Sequence, residues 1–278
     1  MRVPFIKMHG LGNDFIVLDR RAPNASALPE MTAKAARALA DRREGIGCDQ
    51  LILLEPSDTF DFRMRIFNCD GGEVEACGNA SRAVALLHGK PATVETAGGV
   101  IALEPSADGA RVDMGAPRFD WEAIPLAYAM DTRAMPVGWP HESGALEAPM
   151  AVNVGNPRAV FFVEDTQGVN LANLGPIIEI DPVFPEVVNF NLASLVGDNH
   201  LALRVWERGT GLTRACGTGA CATAVAAIAK GLVQSPVKVT LPGGDLEIAW
   251  DQSMAGAAIR MTGPATESFR GEVEWEGY

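Results

Sequence analysis

Hydrophobic and polar positions along this chain fall into short runs separated by turns rich in Gly, Pro, Asn and Asp. The runs Phe15–Leu18, Leu51–Leu54, Arg63–Phe67, Thr93–Thr96 and Arg111–Met114 alternate or carry β-branched residues, and so predict strands. Ala159–Val163, Leu201–Trp206, Val237–Leu241 and Ala257–Met261 do the same in the second half. Helical patterns are fewer. Thr32–Arg43 predicts a helix with Thr32 as its N-cap. Asn79–Leu87 and Thr218–Lys230 are Ala-rich and apolar nearly all round, which predicts buried helices. The Pro-, Gly- and Met-rich stretch from Arg118 to Pro149 is expected to carry the crossover between domains.

The pattern repeats. At an offset of 139 residues, Arg65-Ile66-Phe67 falls on Arg204-Val205-Trp206 and Gly72 falls on Gly211. Ala76-Cys77-Gly78-Asn79 then falls on Ala215-Cys216-Gly217-Thr218 without a gap. Gly12-Asn13 and Gly155-Asn156 each precede an apolar run that ends in an acid. A duplication at half the chain length predicts two similar domains rather than a solenoid, which needs at least three short repeats. The expected division is 1–118, with the tail 264–278 returning to it, and 119–263.

Composition narrows the field. The chain has 278 residues, 47% hydrophobic and 21% charged, which suits two globular domains. A net charge of −12 repels nucleic-acid backbones and anionic membrane surfaces, so neither is an expected partner. No run approaches the ~20 apolar residues of a transmembrane helix. The stretch from Met1 to Gly10 has no signal-peptide core. Five cysteines, an odd number without a secreted-scaffold spacing, point to a reducing, cytoplasmic compartment.

Cys77 and Cys216 each follow a glycine-containing loop and precede a buried helix. The first N–H groups of a helix lack internal partners, and the helix dipole places positive charge there. A cysteine at that point is expected to have a lowered pKa and to supply thiolate near neutral pH. The N–H groups of Gly78-Asn79 and Gly217-Thr218 form a ready carboxylate site. If the two copies face one cleft, one thiolate can remove an α-proton while the opposite thiol protonates the other face. Free cysteines are more commonly buried packing residues, and Cys48, Cys69 and Cys221, which have no duplicate, are read that way.

Other chemistries fit less well. Zinc would want close Cys/His spacing, yet Cys69–Cys77 and Cys216–Cys221 are not Cys-x-x-Cys pairs and His9, His88, His141 and His200 are scattered, so no metal is expected. Gly217-x-Gly219-x-x-Ala222 matches a dinucleotide fingerprint by letter but lacks its later acid. Pyridoxal phosphate would need a Schiff-base lysine, and neither cysteine loop has one. The expected cofactor is none.

Several motifs together resemble the diaminopimelate epimerase family over nearly the whole chain. They are Met8-His9-Gly10-Leu11-Gly12-Asn13-Asp14-Phe15, Gly45-Ile46-Gly47-Cys48-Asp49-Gln50, Phe67-Asn68-Cys69-Asp70-Gly71 and Ala76-Cys77-Gly78-Asn79. Gly155-Asn156-Pro157, Phe184-Pro185-Glu186 to Asn189, and Trp206-Glu207-Arg208-Gly209 to Cys216-Gly217-Thr218-Gly219 complete the set. The related proline racemases carry Cys-Gly-His in the first loop, where this chain has Cys77-Gly78-Asn79. The resemblance implies a mixed α/β (α+β) chain of two pseudo-symmetric domains. Each would be a curled, mainly antiparallel sheet around a central helix, with the active site in the cleft between them. It also implies a homodimer that interconverts LL- and meso-diaminopimelate, in lysine and peptidoglycan-precursor synthesis.

By position, the resemblance makes Cys77 and Cys216 the acid/base pair, with Gly78, Asn79, Gly217 and Thr218 on the reacting carboxylate. Asn13, Asn68, Asn156, Asn189, Glu207 and Arg208 would hold the far amino-acid group, and Gln50 would line the site. The chemistry agrees, since Arg208 can grip a second carboxylate bidentately and Glu207 can take an ammonium. Outside these motifs, such asparagines form turns and such an arginine is a solvated surface charge. One position departs. Where the family usually reads Gly-Asn-Pro-His, this chain has Gly155-Asn156-Pro157-Arg158. Arginine cannot take up a proton at working pH, so Arg158 either acts as a fixed positive charge that tunes a cysteine pKa, beside Glu207 in the same role, or points elsewhere. The rival functions are a racemase or epimerase of another amino acid, against which Arg208, Asn68 and Asn189 argue, and a non-catalytic protein whose cysteines form a regulatory disulfide.

Overall fold

The computed structural model describes residues 1–21, 30–75, 77–106, 109–142 and 144–275. Ala76 of the repeated cysteine motif and the last three residues of the expected returning tail lie outside the described residues. The chain divides into two compact units, Met1–Val112 with Gly263–Tyr278, and Asp113–Thr262.

The first unit is built from β1 (Arg2–Gly10), β2 (Asn13–Asp19), α1 (Ala33–Ala40), β3 (Gln50–Glu55), β4 (Phe62–Asn68), β5 (Glu73–Val74), α2 (Gly78–His88), β6 (Ala92–Thr96), β7 (Gly99–Ser106) and β8 (Gly109–Asp113). β1–β2, β3–β4, β4–β5, β6–β7 and β7–β8 pair antiparallel, while β2–β3 and β4–β6 pair parallel. The strand runs Phe15–Leu18 and Leu51–Leu54 are apolar at every position because both faces are covered. Ile16, Leu18, Leu51 and Leu53 pack with Ala35, Ala36 and Leu39 of α1. On α2, the residues from Gly78 to Ala85 are buried. A sheet buried on both sides needs no polar alternation.

The second unit follows the same plan through β9 (Gly138–His141), β10 (Gly144–Glu147), β11 (Met150–Asn153), β12 (Pro157–Phe162), α3 (Leu171–Glu179), β13 (Asn189–Gly197), β14 (His200–Glu207), β15 (Gly211–Thr213), α4 (Gly217–Ala229), β16 (Val237–Leu241), β17 (Gly244–Ala249) and β18 (Arg260–Gly263). Each pairing of the first unit has its counterpart. β11–β12, β13–β14, β14–β15, β16–β17 and β17–β18 are antiparallel, and β12–β13 and β14–β16 are parallel. β19 (Thr266–Glu274) pairs antiparallel with β1 of the first unit. The chain is thus mixed α+β, mostly sheet, and two-unit. No helix among the described residues is long and apolar enough to cross a membrane.

Three expectations need correction. The helix begun by Thr32, whose side chain accepts the Ala35 N–H at 3.1 Å, stops at Ala40 because Asp41 turns extended, short of Arg43. The strand expected over Ala257–Met261 runs Arg260–Gly263, since residues 257–259 follow a turn closed by the Ala257 N–H on the Met254 carbonyl. The stretch from Arg118 to Pro149 lies inside the second unit rather than carrying the crossover. Its Ile124, Leu126, Met135, Trp139 and Leu146 pack with α3 and Phe161, Phe190 and Leu192 to form a core layer. Burying those apolar side chains, at about 1.5–3 kcal/mol each for the larger ones, holds down a segment with little regular structure. α3 itself was hidden in the sequence by Gly175 and Pro176, both poor helix residues. Gly175 is needed because a Cβ there would collide with the Trp206 indole.

Candidate active site

Cys77 and Cys216 are the N-caps of α2 and α4, with φ/ψ of −146°/110° and −145°/110°. Neither side chain caps its helix. In each case the cysteine carbonyl takes the first helical hydrogen bond, from Ser81 N–H at 2.9 Å and from Ala220 N–H at 3.0 Å. The N–H groups of Gly78, Asn79, Gly217 and Thr218 therefore stand in the unpaired first turn. None of the five cysteines is in a disulfide. Cys48 and Cys221 are buried as packing residues, but Cys69 is exposed, contrary to expectation. It sits in the tight turn that closes with the Gly71 N–H on the Asn68 carbonyl at 2.9 Å.

The remaining expected residues cluster within their own units at equivalent places. Asn13 opens β2 and Asn156 immediately precedes β12, Gln50 and Asn189 open β3 and β13, and Asn68 and Glu207 end β4 and β14. In the first unit these side chains form an amide relay. Asp49 Oδ2 accepts Asn13 Nδ2 at 2.9 Å, Asn13 Oδ1 accepts Asn79 Nδ2 at 3.1 Å, and Asn68 Oδ1 accepts Gln50 Nε2 at 3.0 Å. Asn79 Oδ1 and Gln50 Oε1 are buried with no donor in reach. Both are acceptors, so the group that would satisfy them is a hydrogen-bond donor.

The second unit is organised by charge. Arg158 on β12 is completely buried. Its Nε donates to Asn156 Oδ1 at 3.1 Å, Nη1 to Asn191 Oδ1 at 3.1 Å, and Nη2 to Cys216 Sγ at 2.9 Å and Thr218 Oγ1 at 2.8 Å. Glu207 Oε2 lies 3.5 Å from Nη2 and accepts the Cys216 thiol at 3.2 Å. Its Oε1 accepts Thr213 Oγ1 at 2.7 Å. Arg208 is exposed, and its Nη1 reaches the Glu186 carbonyl at 3.1 Å. Asn189 is buried, donating to the Pro157 carbonyl and accepting the Arg208 N–H, each at 3.1 Å.

The expected low pKa of Cys216 is not what the site produces. Burial pushes the thiol up to about 12; Arg158 opposes that rise and Glu207 adds to it. A helix N-terminus lowers a thiol pKa only where the thiolate keeps enough solvation. Sequence reading missed Asn191 and Thr213. Asn191 tethers Arg158 to α4 through Gly219 O at 2.8 Å and Thr223 Oγ1 at 2.9 Å. Its signal was a polar residue inside the apolar run of β13. Gly219, read as a fingerprint letter, is there because a Cβ would press on Val205, Arg158 and Cys216 at 3.1–3.3 Å. Among the described residues no group of three or more His, Cys, Asp or Glu could hold a metal ion.

Residues 5–119 and 150–267 match the family described as diaminopimelate epimerase. The chain belongs to the diaminopimelate epimerase family. Among similar members, the diaminopimelate epimerase of Erythrobacter litoralis is 69% identical over 278 residues, covering 100% of both chains. That of Sphingopyxis alaskensis is 62% identical over 271 residues, covering 98% of this chain and 97% of the other. The crystal structure of a PhzF-family phenazine biosynthesis protein from Bacillus anthracis superposes with a TM-score of 0.68, covering 99% of each chain at 15% identity, a likeness of fold alone. Arg158 is fully buried inside the second unit.

Proposed function

We propose that this chain is an isomerase that interconverts LL-2,6-diaminopimelate and meso-diaminopimelate without an organic cofactor, with Cys77 and Cys216 alternating as base and acid. Membership of the diaminopimelate epimerase family supports the substrate. The observation that carries the mechanism is the pair of cysteines held at helix N-caps in one and the same backbone conformation. In one direction the Cys77 thiolate removes the α-proton and the Cys216 thiol protonates the other face. Cys216 suits the acid role, because it rests protonated and donates to Glu207. In the other direction Cys216 must become thiolate, and the Arg158 guanidinium on its sulfur is the stabilising charge. The first-turn N–H groups of Gly78, Asn79, Gly217 and Thr218 take the carboxylate charge that grows as the α-proton leaves, each worth about 3 kcal/mol in comparable oxyanion sites.

Asn13, Gln50, Asn68, Asn156, Asn189, Glu207 and Arg208 hold the rest of the substrate in this reading. The bare acceptors Asn79 Oδ1 and Gln50 Oε1 favour an ammonium-bearing ligand. A cytoplasmic homodimer belongs to the proposal on the family resemblance, and light scattering tests the dimer. The deciding experiment incubates LL-diaminopimelate with the reduced protein in deuterated water, followed by chiral analysis and mass spectrometry. Formation of the meso isomer with deuterium at one α-carbon is expected. Recovery of unlabelled LL isomer alone would sink the proposal, and would revive the disulfide-regulated rival.

A further inference from the structure

We infer that Glu179, at the end of α3, is a positioning residue that sets the substrate-facing turn carrying Glu207 and Arg208. The inference rests on the proposed role of Arg208 in gripping the substrate. The turn after β14 is exposed and glycine-flanked, with Gly209 at φ 71° and Gly211 at φ 89°. Such a turn has little of its own to fix it beyond the Thr210 N–H on the Glu207 carbonyl at 3.0 Å. Glu179 brackets the pair from outside. Its Oε2 accepts the Trp206 indole N–H at 2.7 Å and its Oε1 accepts the Gly209 backbone N–H at 2.9 Å. The residue before Glu207 and the residue after Arg208 are thereby pinned to one carboxylate. The Glu179 carbonyl also takes the Val188 N–H at 3.1 Å, which fixes the approach to Asn189, the acceptor for the Arg208 N–H.

Both partners of Glu179 are donors, and they meet different oxygens. Only a carboxylate accepts at both positions; a glutamine would turn its NH₂ toward one of the two N–H groups. The carboxylate is therefore a requirement of the clamp rather than a generic helix-end acid. Gly175 belongs to the same device, because its missing Cβ lets α3 lie directly under the indole. α1 approaches the equivalent turn of the first unit with reversed polarity, where Arg37 Nε donates to the Asp70 carbonyl at 2.8 Å.

The test is Glu179→Gln, with turnover of diaminopimelate and hydrogen exchange at the Gly209 amide measured in the whole chain. A KM about tenfold higher with kcat within about twofold is expected, since ground-state and transition-state contacts of Arg208 weaken alike. The same substitution in an Arg208→Ala background should leave KM within about twofold of Arg208→Ala alone, because the two act through one contact. Trp206→Phe removes one of the two donors, so Glu179→Gln/Trp206→Phe should return KM to within about threefold of Trp206→Phe. This comparison decides the matter even if Glu179→Gln alone does not fold. An unchanged KM with a lowered melting temperature, or an equal KM loss in the Arg208→Ala background, overturns the inference. Gly209 amide exchange reads the clamp without turnover: faster exchange in Glu179→Gln supports it and unchanged exchange overturns it, even if the native chain fails to epimerise diaminopimelate.

Discussion

Around Cys216 a fully buried cation meets sulfur, carboxylate, hydroxyl and two amide oxygens, while around Cys77 neutral amides pass hydrogen bonds along a relay. The two cysteines share φ and ψ to within 1°. A duplicated chain has kept the part of each turn that helix geometry dictates and has let the side chains diverge. The N-cap conformation, with the first-turn N–H groups left unpaired after it, is common to both copies. The surroundings obey a different constraint, polar satisfaction, and they solve it differently. The second unit saturates the groups around Arg158. The first leaves Asn79 Oδ1 and Gln50 Oε1 buried and unmet, which stores an unfavourable contact for a ligand to relieve.

The sharpest way to break the comparison is to remove each thiol. Cys77→Ala and Cys216→Ala should each lose epimerisation by about a thousandfold or more, since general acid–base groups contribute on that order. Each variant should still exchange the α-hydrogen of one isomer with solvent, and the two should prefer opposite isomers. Deuterium incorporation into LL- and meso-diaminopimelate, incubated separately, reads this. The same preference in both variants would mean that the two turns do not serve opposite faces.

Next in size is stability. Arg158→Met should cost about 3 kcal/mol, because it strands Asn156, Asn191 and the Glu207 carboxylate around an apolar side chain. Gln50→Leu in the first unit loses one hydrogen bond but also deletes a buried acceptor without a partner, so its cost should stay below about 1 kcal/mol. Urea midpoints at constant slope compare the two. Equal costs would show that the polar groups of both units are built for stability.

Much of this was legible in the sequence because the repeat is a backbone signal. The offset that aligns Cys77 with Cys216 also pairs Gln50 with Asn189 and Asn68 with Glu207, and those pairs occupy matching strand ends. Val237–Leu241 was readable to the residue because turns bound it on both sides. What stayed hidden depended on contacts between distant segments. α3 looks like a poor helix until Trp206 is seen lying on Gly175. The stretch from Arg118 to Pro149 looks like a linker until its apolar side chains are found in a core. The state of Cys216 was misread because helix position is local, whereas desolvation comes from everything packed around the sulfur.

A more modest effect sharpens the role of the cation. Arg158→His should move the acidic limb of the rate profile to higher pH by about one unit, because a histidine is neutral above its ordinary pKa and no longer favours thiolate. The shift should appear only for the isomer whose proton Cys216 removes. A shift in both directions of reaction would mean that the charge acts on the whole site.

The last prediction concerns how the first unit responds to acid. Burial alone would raise the Asp14 carboxyl, but hydrogen bonds from Arg42 and Lys7 override it and hold the group well below the usual carboxylate range. Arg42 Nη2 lies 2.6 Å from Asp14 Oδ1 and 2.7 Å from Asp49 Oδ1, and Asp49 in turn anchors Asn13. A carboxylate with a depressed folded pKa contributes stability above its unfolded value, near 4, and loses it as the pH falls toward the folded value. Asp14→Asn should therefore cost about 1 kcal/mol at neutral pH, a modest figure because Arg42 is largely exposed and solvent screens the pair. The cost should shrink steadily below about pH 4, where the unfolded chain already carries a proton on that group. Denaturant midpoints of Asp14→Asn at pH 3 and pH 7 decide the point. A cost that stays constant between them would show that Asp14 supports the Asn13 relay through shape and not through charge.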